Sequence, residues 1–321
     1  MKTFQVIRTH TSPYQAPNFL SVEKELISSI PTLIYKSLNE ADQCSSNILI
    51  TNTSTKLKEI PSQILNNTKL IVHPNSGYDN LVIDDLWKEI PIIIGHVIRA
   101  QAVAEYSVAS VFEFLTDLPQ HISWFKQRSW NRKLISECSI WVFGYGHIGK
   151  IVADTFKSLG AKITVVDPFI KECPHFKVNS WNEGNLKKAD VVIACSGLNS
   201  TSRKMFNQKF FQNVSPSLLF INGARGGLVD EAELKTFLLA HPDAFAFLDV
   251  FENEPFNEEW HHFPQVWKTS HIAGVFKNLD DKILNFEFEV IKDFLAKTEE
   301  EFIMKYKNEL LQNKWHQGVL I

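Results

Sequence analysis

Three segments in the second half of the 321-residue chain place ionisable side chains beside backbone features that could hold them still. Arg225 lies in the stretch INGARGG, Asp249 and Glu254 lie in LDVFENEP, and His271 lies in TSHIAG. Imidazoles transfer protons near neutral pH, carboxylates can orient them, and guanidinium groups bind anions. The first two segments follow apolar runs typical of buried strands, and ligands of doubly wound sheets bind beyond the carboxyl ends of the strands. We therefore expect these side chains to converge on one ligand.

A glycine-rich turn earlier in the chain predicts a phosphate-binding loop. The residues from 144 to 149 read GYGHIG, directly after an apolar run and directly before a helical pattern. Gly144 permits a tight turn, Gly146 lets the backbone approach a pyrophosphate, and Gly149 lets the helix pack close to the strand. The N-terminus of the helix adds N–H donors and a favourable dipole. The alternative is a glycine-rich turn of the kind that any α/β protein can contain.

The next predicted strand indicates which nucleotide this turn would bind. It ends in Asp167-Pro168, and Asp167 follows Gly149 by 18 residues, near the spacing expected for a ribose-binding carboxylate. Such a carboxylate accepts both ribose hydroxyls of NAD and repels the 2′-phosphate of NADP. An ordinary turn residue before a proline is the alternative for Asp167. A nucleoside-triphosphate loop is disfavoured, because Ile151 stands where the Mg²⁺-binding Ser or Thr should be.

Two series of short apolar runs and helical patterns surround these motifs. The runs are almost wholly apolar, as in strands buried on both faces of a parallel sheet, so the sequence predicts an α/β layered fold. The predicted strands are Phe4–Ile7, Thr32–Tyr35, Asn47–Ile50, Leu70–Val72, Ile92–Ile94, Ser139–Phe143, Lys162–Val166, Val191–Ala194, Leu218–Ile221 and Ala244–Leu248. The predicted helices are Val22–Ile30, Ile60–Leu65, Ala102–Leu115, Lys150–Leu159 and Leu279–Leu295. Because the last helix follows the second series, we expect the chain to cross back to the first half.

Composition excludes several classes of protein. The formal charge of −3 provides no basic field for nucleic acid or an anionic membrane, so a small-molecule partner is expected. The first residues predict no secretory signal, and no apolar run is long enough to span a membrane. The four cysteines form no C-x-x-C pair and the histidines no recognised metal spacing, so we expect no metal site and a cytoplasmic location. The predicted helix Ala102–Leu115 is apolar on most of its surface, which favours a homodimer.

In this order, GYGHIG, NGARGGLVDE, DVFENEP and HIAG resemble the signatures of the D-isomer-specific 2-hydroxyacid dehydrogenases. Members of that family reduce glyoxylate, hydroxypyruvate and pyruvate or oxidise phosphoglycerate and formate. The stretches AVAE and SGYDN also resemble the family's helix opening and substrate loop, and the likeness extends from about Lys69 to Gly274. It implies an α/β fold of two doubly wound parallel-sheet domains with a cleft between them. Residues 1–99 and 285–321 would form a flavodoxin-like substrate domain, and residues 100–284 a Rossmann NAD-binding domain.

The resemblance also implies a function: NAD(H)-dependent interconversion of a small 2-keto acid and the D-2-hydroxy acid. Arg225 would bind the substrate carboxylate and keto oxygen, His271 would be the acid–base, and Glu254 would orient its ring. Backbone N–H groups of Ser76 and Gly77 would bind the carboxylate from the other domain. The residues expected to contact the cofactor are Gly144, Gly146, His147, Ile148, Gly149, Asp167, Pro168, Gly197, Ser202, Ala224, Asp249, His271 and Gly274.

The sequence departs from the family pattern at several places. His147 stands where an Arg or another long donor is usual, the Pro–Leu–Thr–Pro signature before Ser202 is missing, and Pro74-Asn75 begins an uncommon substrate loop. The natural keto acid is therefore left open. The sequence leaves two other functions open: an NAD(H)-binding regulator of the same fold, and another Rossmann enzyme, which would need a lysine in place of His271.

Overall fold

The chain folds into two compact units. The computed structural model describes residues 3–12, 14–42, 45–81, 89–116, 123–124, 126, 132–170, 173, 177–179, 186–316 and 319–320. One unit comprises Met1–Arg99 with Phe276–Ile321, and the other comprises Ala100–Val275. The sequence predicts a return to the first domain at residue 285, whereas this division places it at Phe276. The reason is that Ile283 and Leu284, near the start of the last long helix, pack against Phe19 of the first unit.

Strands and helices alternate along both units. The strands are β1 (Phe4–Arg8), β2 (Leu33–Ser37), β3 (Asn47–Ile50), β4 (Thr68–His73), β5 (Ile92–Ile94), β6 (Ser139–Phe143), β7 (Lys162–Val166), β8 (Lys177–Asn179), β9 (Val191–Ala194), β10 (Leu219–Asn222), β11 (Phe245–Leu248), β12 (Val266–Lys268), β13 (Trp315–His316) and β14 (Val319–Leu320). The α-helices are α1 (Phe19–Ser28), α2 (Ser62–Asn66), α3 (His96–Thr116), α4 (His147–Ser158), α5 (Gln208–Phe211), α6 (Glu231–Ala240), α7 (Leu279–Ala296) and α8 (Glu299–Lys305).

The first unit is built on a parallel sheet with the strand order β2-β1-β3-β4-β5. This is the doubly wound order of flavodoxin-like domains. Successive residues of each strand point to opposite faces, so Ile48 and Ile50 pack in one core while Leu49 packs in the other. Because helices cover both faces, the strands carry continuous apolar runs rather than alternating ones.

A buried ionic cluster links the two chain segments of this unit. Arg8 of β1 donates two hydrogen bonds to Glu23 of α1 and one, of 2.7 Å, to Glu287 of α7. The hydroxyl of Tyr35 also donates to Glu23, and both carboxyl groups are 1% exposed. Burial alone would raise the pKa of Glu23, but the Arg8 charge and the hydrogen bonds lower it overall. Burial, with a smaller contribution from the charge of Glu23, raises the pKa of Glu287 well above its ordinary range and outweighs the opposing effect of Arg8.

The second unit contains a parallel sheet with the order β12-β11-β10-β9-β6-β7-β8. Numbered within the unit, this is the dinucleotide-binding order 3-2-1-4-5-6 with one further strand. The strand order reverses between β6 and β9, where such sheets bind ligands. Two buried apolar clusters cover its two faces. The predicted fold class of two doubly wound parallel-sheet domains is therefore confirmed.

Helix α3 is longer than predicted, because it begins at His96 rather than Ala102. Its most buried residues recur every three or four positions at Ala100, Ala104, Ser107 and Val111, so one stripe rather than most of the helix is buried. Phe112, on another side, is 37% exposed.

Two further features concern the described residues alone. No helix among them combines the length and apolarity that a membrane crossing requires. Cys138, Cys173 and Cys195 are free thiols, and Cys44 lies outside the described residues.

Candidate active site

The carboxyl ends of five parallel strands of the second unit lie at one level. The register pairs Phe143 of β6 with Ala194 of β9, and Ala194 with Asn222 of β10. Asn222 in turn pairs with Leu248 of β11, and Leu248 with Lys268 of β12. The loops that carry the glycine turn, Gly197, Arg225, Glu254 and His271 therefore leave the same edge of the sheet. Since neighbouring strands lie about 4.8 Å apart, the three spacings from β6 to β11 correspond to about 14 Å.

The turn after β6 needs glycine at two positions. Gly144 has φ +96°, and a Cβ there would lie 2.7 Å from the backbone nitrogen of Ser196. A Cβ on Gly149 would lie 2.0 Å from the carbonyl oxygen of Gly144. These approaches hold α4 against β6, with Gly149, Val152 and other residues buried.

The space in front of α4 suits a phosphate group. A Cβ on Gly146 would meet no atom within 4 Å, and this residue caps the helix without any side-chain hydrogen bond. The first N–H groups of a helix have no partner within the helix, and its dipole favours an anion there. His147 is exposed at the first position of α4 and Ile148 is half-buried beside it. The turn therefore fits the pyrophosphate of a dinucleotide.

Asp167 follows β7 on the other side of the turn. Its Oδ2 accepts a hydrogen bond of 2.8 Å from the N–H of Tyr145, and its Oδ1 accepts one of 2.9 Å from the N–H of Phe169. A carboxylate has about four acceptor positions, so each oxygen can accept one more hydrogen bond. Asp167 is half-buried and Pro168 is exposed, which fits a ribose-binding role.

The loop after β9 is organised by Ser202. Its hydroxyl donates a hydrogen bond of 2.7 Å to the carbonyl of Gly197 and accepts one of 2.9 Å from the N–H of Asn199. Gly197 itself is exposed. Burial raises the pKa of the Cys195 thiol to about 12, which favours the protonated thiol at neutral pH.

Arg225 is fixed by a buried asparagine at the end of β10. The side chain of Asn222, 1% exposed, donates to the carbonyl of Arg225 at 3.0 Å and accepts from the N–H of Ala224 at 3.1 Å. The guanidinium donates a hydrogen bond to the carbonyl of Ala224 at 2.7 Å. A Cβ on Gly226 would lie 1.8 Å from the carbonyl oxygen of Phe251, so this contact requires glycine.

His271 and Glu254 form a hydrogen-bonded pair. The Nδ1 atom of His271 lies 2.8 Å from Oε2 of Glu254, and the two side chains are 53% and 39% exposed. With the carboxylate as acceptor, Nδ1 carries the hydrogen and Nε2 is left to exchange a proton. Exposed pairs add about 1 kcal/mol or less to stability, so orientation of the ring is the main consequence of this contact.

His271 lies in the left-handed region of backbone space, with φ +58°. Such a conformation costs of the order of 1–3 kcal/mol in a residue other than glycine and persists only where the surroundings enforce it. Asp249, 1% exposed, supplies that enforcement through its carboxylate. It accepts hydrogen bonds from the Thr269 hydroxyl at 2.6 Å and from the N–H groups of Ile272 and Ala273 at 2.7 and 2.8 Å. The predicted cofactor residue Gly274 follows this loop.

The first unit holds a loop of free N–H groups after β4. Within the described part of the chain, the N–H groups of Asn75, Ser76 and Gly77 donate no hydrogen bond. Buried His73 fixes this loop: its Nε2 lies 2.7 Å from the carbonyl oxygen of Gly77, and its Nδ1 lies 2.8 Å from Thr51 Oγ1. Backbone N–H groups without an internal acceptor are available to bind an anion.

Four residues that support the site were not among those predicted from the sequence: Tyr106, Asn222, Thr269 and His73. Asn222 and Thr269 lie inside the predicted motifs, so their position was a usable signal. His73 follows an apolar run and Tyr106 lies between Glu105 and Ser107, outside the predicted site residues, so neither carries such a signal. Among the described residues, no group of three or more His, Cys, Asp or Glu side chains could hold a metal ion.

This sheet order, with a glycine-rich turn at its reversal point, defines a dinucleotide-binding protein of the two-domain α/β class. Residues 108–273, just over half of the chain, match the family model described as D-isomer specific 2-hydroxyacid dehydrogenase, NAD binding domain. The chain belongs to this family. The predicted family and the predicted NAD cofactor are both confirmed.

One relative is the D-3-phosphoglycerate dehydrogenase of Bacillus subtilis (strain 168). The two proteins are 29% identical over 239 residues, which cover 70% of this chain and 45% of that protein. The chain thus spans about half the length of the curated relatives it matches.

Solved structures share the fold at low sequence identity. The D-lactate dehydrogenase of Aquifex aeolicus, complexed with NAD and lactic acid, has a TM-score of 0.73 at 18% identity, covering 96% of this chain and 99% of that one. A D-isomer specific 2-hydroxyacid dehydrogenase of Xanthobacter autotrophicus Py2, in complex with NADPH and MES, has a TM-score of 0.73 at 21% identity, covering 92% and 96%. At these identities the likeness establishes the fold alone.

Proposed function

We propose that this protein interconverts a small 2-keto acid and the corresponding D-2-hydroxy acid with NAD(H). The observation that carries the proposal is the His271–Glu254 hydrogen bond of 2.8 Å, on loops that leave the carboxyl edge of an NAD-binding sheet. NAD, when bound, supplies or accepts the hydride. The protein's own side chains must bind the acid and move the proton.

His271 moves the proton. Its Nδ1–H is held by Glu254, which directs Nε2 toward the substrate oxygen. In the reductive direction Nε2 donates a proton to the keto oxygen, and in oxidation it removes the proton from the hydroxyl. The side chain of Glu254 is held in turn by a hydrogen bond of 3.3 Å that its Oε1 accepts from the N–H of Phe251.

Arg225 binds the acid group. Its guanidinium presents donors in a plane and can bind a carboxylate and a keto oxygen together, a geometry that lysine cannot reproduce. Its backbone is extended, with φ −147° and ψ 136°, so the side chain leaves the strand end without backbone strain. We infer in addition that the free N–H groups of Ser76 and Gly77 bind a substrate carboxylate.

Asp167 makes NAD the preferred cofactor. Its remaining acceptor positions suit two ribose hydroxyls, and its charge repels a 2′-phosphate. We propose a cytoplasmic homodimer as well, supported by the sparse free cysteines and the exposed Phe112 of α3. A single sedimenting species with the monomer mass at micromolar concentration would contradict the dimer.

NADH oxidation with glyoxylate, hydroxypyruvate, pyruvate and bulkier 2-keto acids tests the reaction. We expect turnover with at least one of them. Tight NADH binding by fluorescence titration without any turnover across the panel would instead favour the NAD(H)-binding regulator.

His271→Asn tests the proton transfer. Asparagine tolerates the left-handed backbone at this position, so the variant should fold normally. Loss of one acid–base group lowers kcat by about 10²–10⁴-fold, with the Kd for NADH little changed. The exposed His262→Asn is the matched control and should behave like wild type. Unchanged kcat in His271→Asn, with chemistry rate-limiting, would refute the role of His271.

A further inference from the structure

Tyr106 of α3 contacts two of the loops that carry the proposed active-site residues. Its hydroxyl lies 2.8 Å from Oγ1 of Thr269, in the loop of His271. Its ring lies against Gly223, in the loop of Arg225, where a Cβ would be 3.5 Å from the ring atom Cδ1. One half-buried side chain therefore spans the space between the two loops.

The direction of the hydrogen bonds follows from the number of available protons. A threonine hydroxyl has one hydrogen, and that of Thr269 is used in the bond of 2.6 Å to Oδ1 of Asp249. In the hydrogen bond between the two hydroxyl groups, Tyr106 must then be the donor and Thr269 the acceptor. Burial raises the pKa of Tyr106, so its hydroxyl retains the proton that it donates. The result is a chain from Tyr106 through Thr269 to a buried carboxylate, in which each bond strengthens the next.

This chain of hydrogen bonds ends on the backbone of the His271 loop. The Asp249 carboxylate also accepts from the N–H groups of Ile272 and Ala273, and its carbonyl accepts from the N–H of His271 at 2.9 Å. The left-handed backbone of His271 is thus held from both sides. The orientation of the Asp249 carboxylate, which Thr269 helps to fix, therefore affects the position of the His271 imidazole.

We propose that Tyr106 is a positioning residue that sets the His271 loop relative to the Arg225 loop. The proposal rests on the function proposed above for His271 and Arg225. The ring of Tyr106 acts on one loop by packing and its hydroxyl acts on the other through Thr269. Removal of the hydroxyl alone should therefore loosen the His271 loop and leave the Arg225 loop in place.

Tyr106→Phe tests this without any substrate. Amide hydrogen exchange of Ile272 and Ala273 should become about three- to tenfold faster, the equivalent of one lost hydrogen bond. The matched control is Tyr306→Phe, which removes a hydroxyl bonded at 2.7 Å to Asp293 in the other unit. That control should leave both amides unchanged. Wild-type exchange rates in Tyr106→Phe would overturn the proposal.

Kinetics of the same variants test the consequence for catalysis. Tyr106→Phe should lower kcat about three- to tenfold with the KM for the keto acid within about twofold, because the Arg225 loop keeps its packing. Thr269→Val should lower kcat at least as much, and the double variant should equal Thr269→Val within about twofold. Additive effects, or a change confined to KM, would refute the chain through Thr269. Faster exchange without turnover by any variant or wild type would refute the proposed reaction and leave the support of the loop by Tyr106 standing.

Discussion

Two isosteric substitutions in the buried ionic cluster of the first unit should have opposite consequences. Glu23 accepts two hydrogen bonds from Arg8 and one from Tyr35, and its pKa is lowered, so it is the ionised partner. Glu287 accepts one bond from Arg8, its Oε2 has no partner among the described residues, and burial raises its pKa. Glu23→Gln removes the charge that neutralises Arg8, whereas Glu287→Gln replaces a protonated acid with an amide of the same shape.

The magnitudes follow from these two roles. Breaking a buried pair and leaving the other charge uncompensated costs about 3–5 kcal/mol. This is the upper limit of the loss expected in Glu23→Gln at neutral pH, because Glu287 can then ionise beside Arg8. Glu287→Gln should lie within about 1 kcal/mol of wild type at pH 5. The folded-state pKa of Glu287 is raised, so the stability from its retained proton is complete below the unfolded pKa and is lost as pH rises through the folded one. Glu287→Gln should therefore gain on wild type by up to about 1.4 kcal/mol per pH unit above pH 5.

Chemical denaturation of each variant between pH 5 and pH 8 measures these differences. The Glu23→Gln deficit should shrink only below this range, since the contribution of a carboxylate with a lowered pKa is lost as pH falls from its ordinary value of 4.5 to the folded one. A constant difference between Glu287→Gln and wild type across this range would show that Glu287 does not keep its proton. A loss of 3–5 kcal/mol in both variants would show that both carboxylates are ionised.

Three further predictions concern the second unit. Gly146→Ala should keep the wild-type Tm but weaken NADH binding, because its Cβ enters the open space proposed for the pyrophosphate. Gly149→Ala should lower Tm, because its Cβ lies 2.0 Å from a carbonyl oxygen, and equal Tm values of the two variants in a thermal scan would contradict this. Asp167→Asn should improve binding of NADPH relative to NADH by about tenfold or more, since it removes a like-charge repulsion; unchanged Kd ratios in fluorescence titration would contradict this. Arg225→Lys should raise the KM for the keto acid at least about tenfold, as two parallel hydrogen bonds are lost; an unchanged KM in steady-state assays would contradict it.

Much of the fold is visible in the sequence because buried parallel strands need uninterrupted apolar residues. Asn47–Ile50, Ile92–Ile94, Ser139–Phe143, Lys162–Val166 and Val191–Ala194 were predicted with the bounds that the structure shows. The strands β8 and β12 were missed, since both have only three residues and mix polar with apolar types. Helix α3 was predicted too short, because His96 and Arg99 interrupt the apolar pattern at its start. Those first turns are held by contacts such as the hydrogen bond of 2.8 Å from Arg99 to the carbonyl of Pro74.

The candidate site was likewise predictable only in part. Gly144 and Gly149 were recognisable because local backbone geometry admits few other residues there, and local requirements leave a mark in neighbouring sequence positions. The hydrogen bond between Tyr106 and Thr269 joins positions 163 residues apart, and no local pattern records such a contact.

The sequence by itself therefore determined the strand–turn–helix units, the glycine turn and the candidates for proton transfer and anion binding. The tertiary structure alone decided the strand order that aligns their loops, the pairing of His271 with Glu254, and the strained backbone that Asp249 holds. The physical reason is range: backbone conformation responds to adjacent residues, whereas hydrogen bonds between loops depend on how distant strands meet.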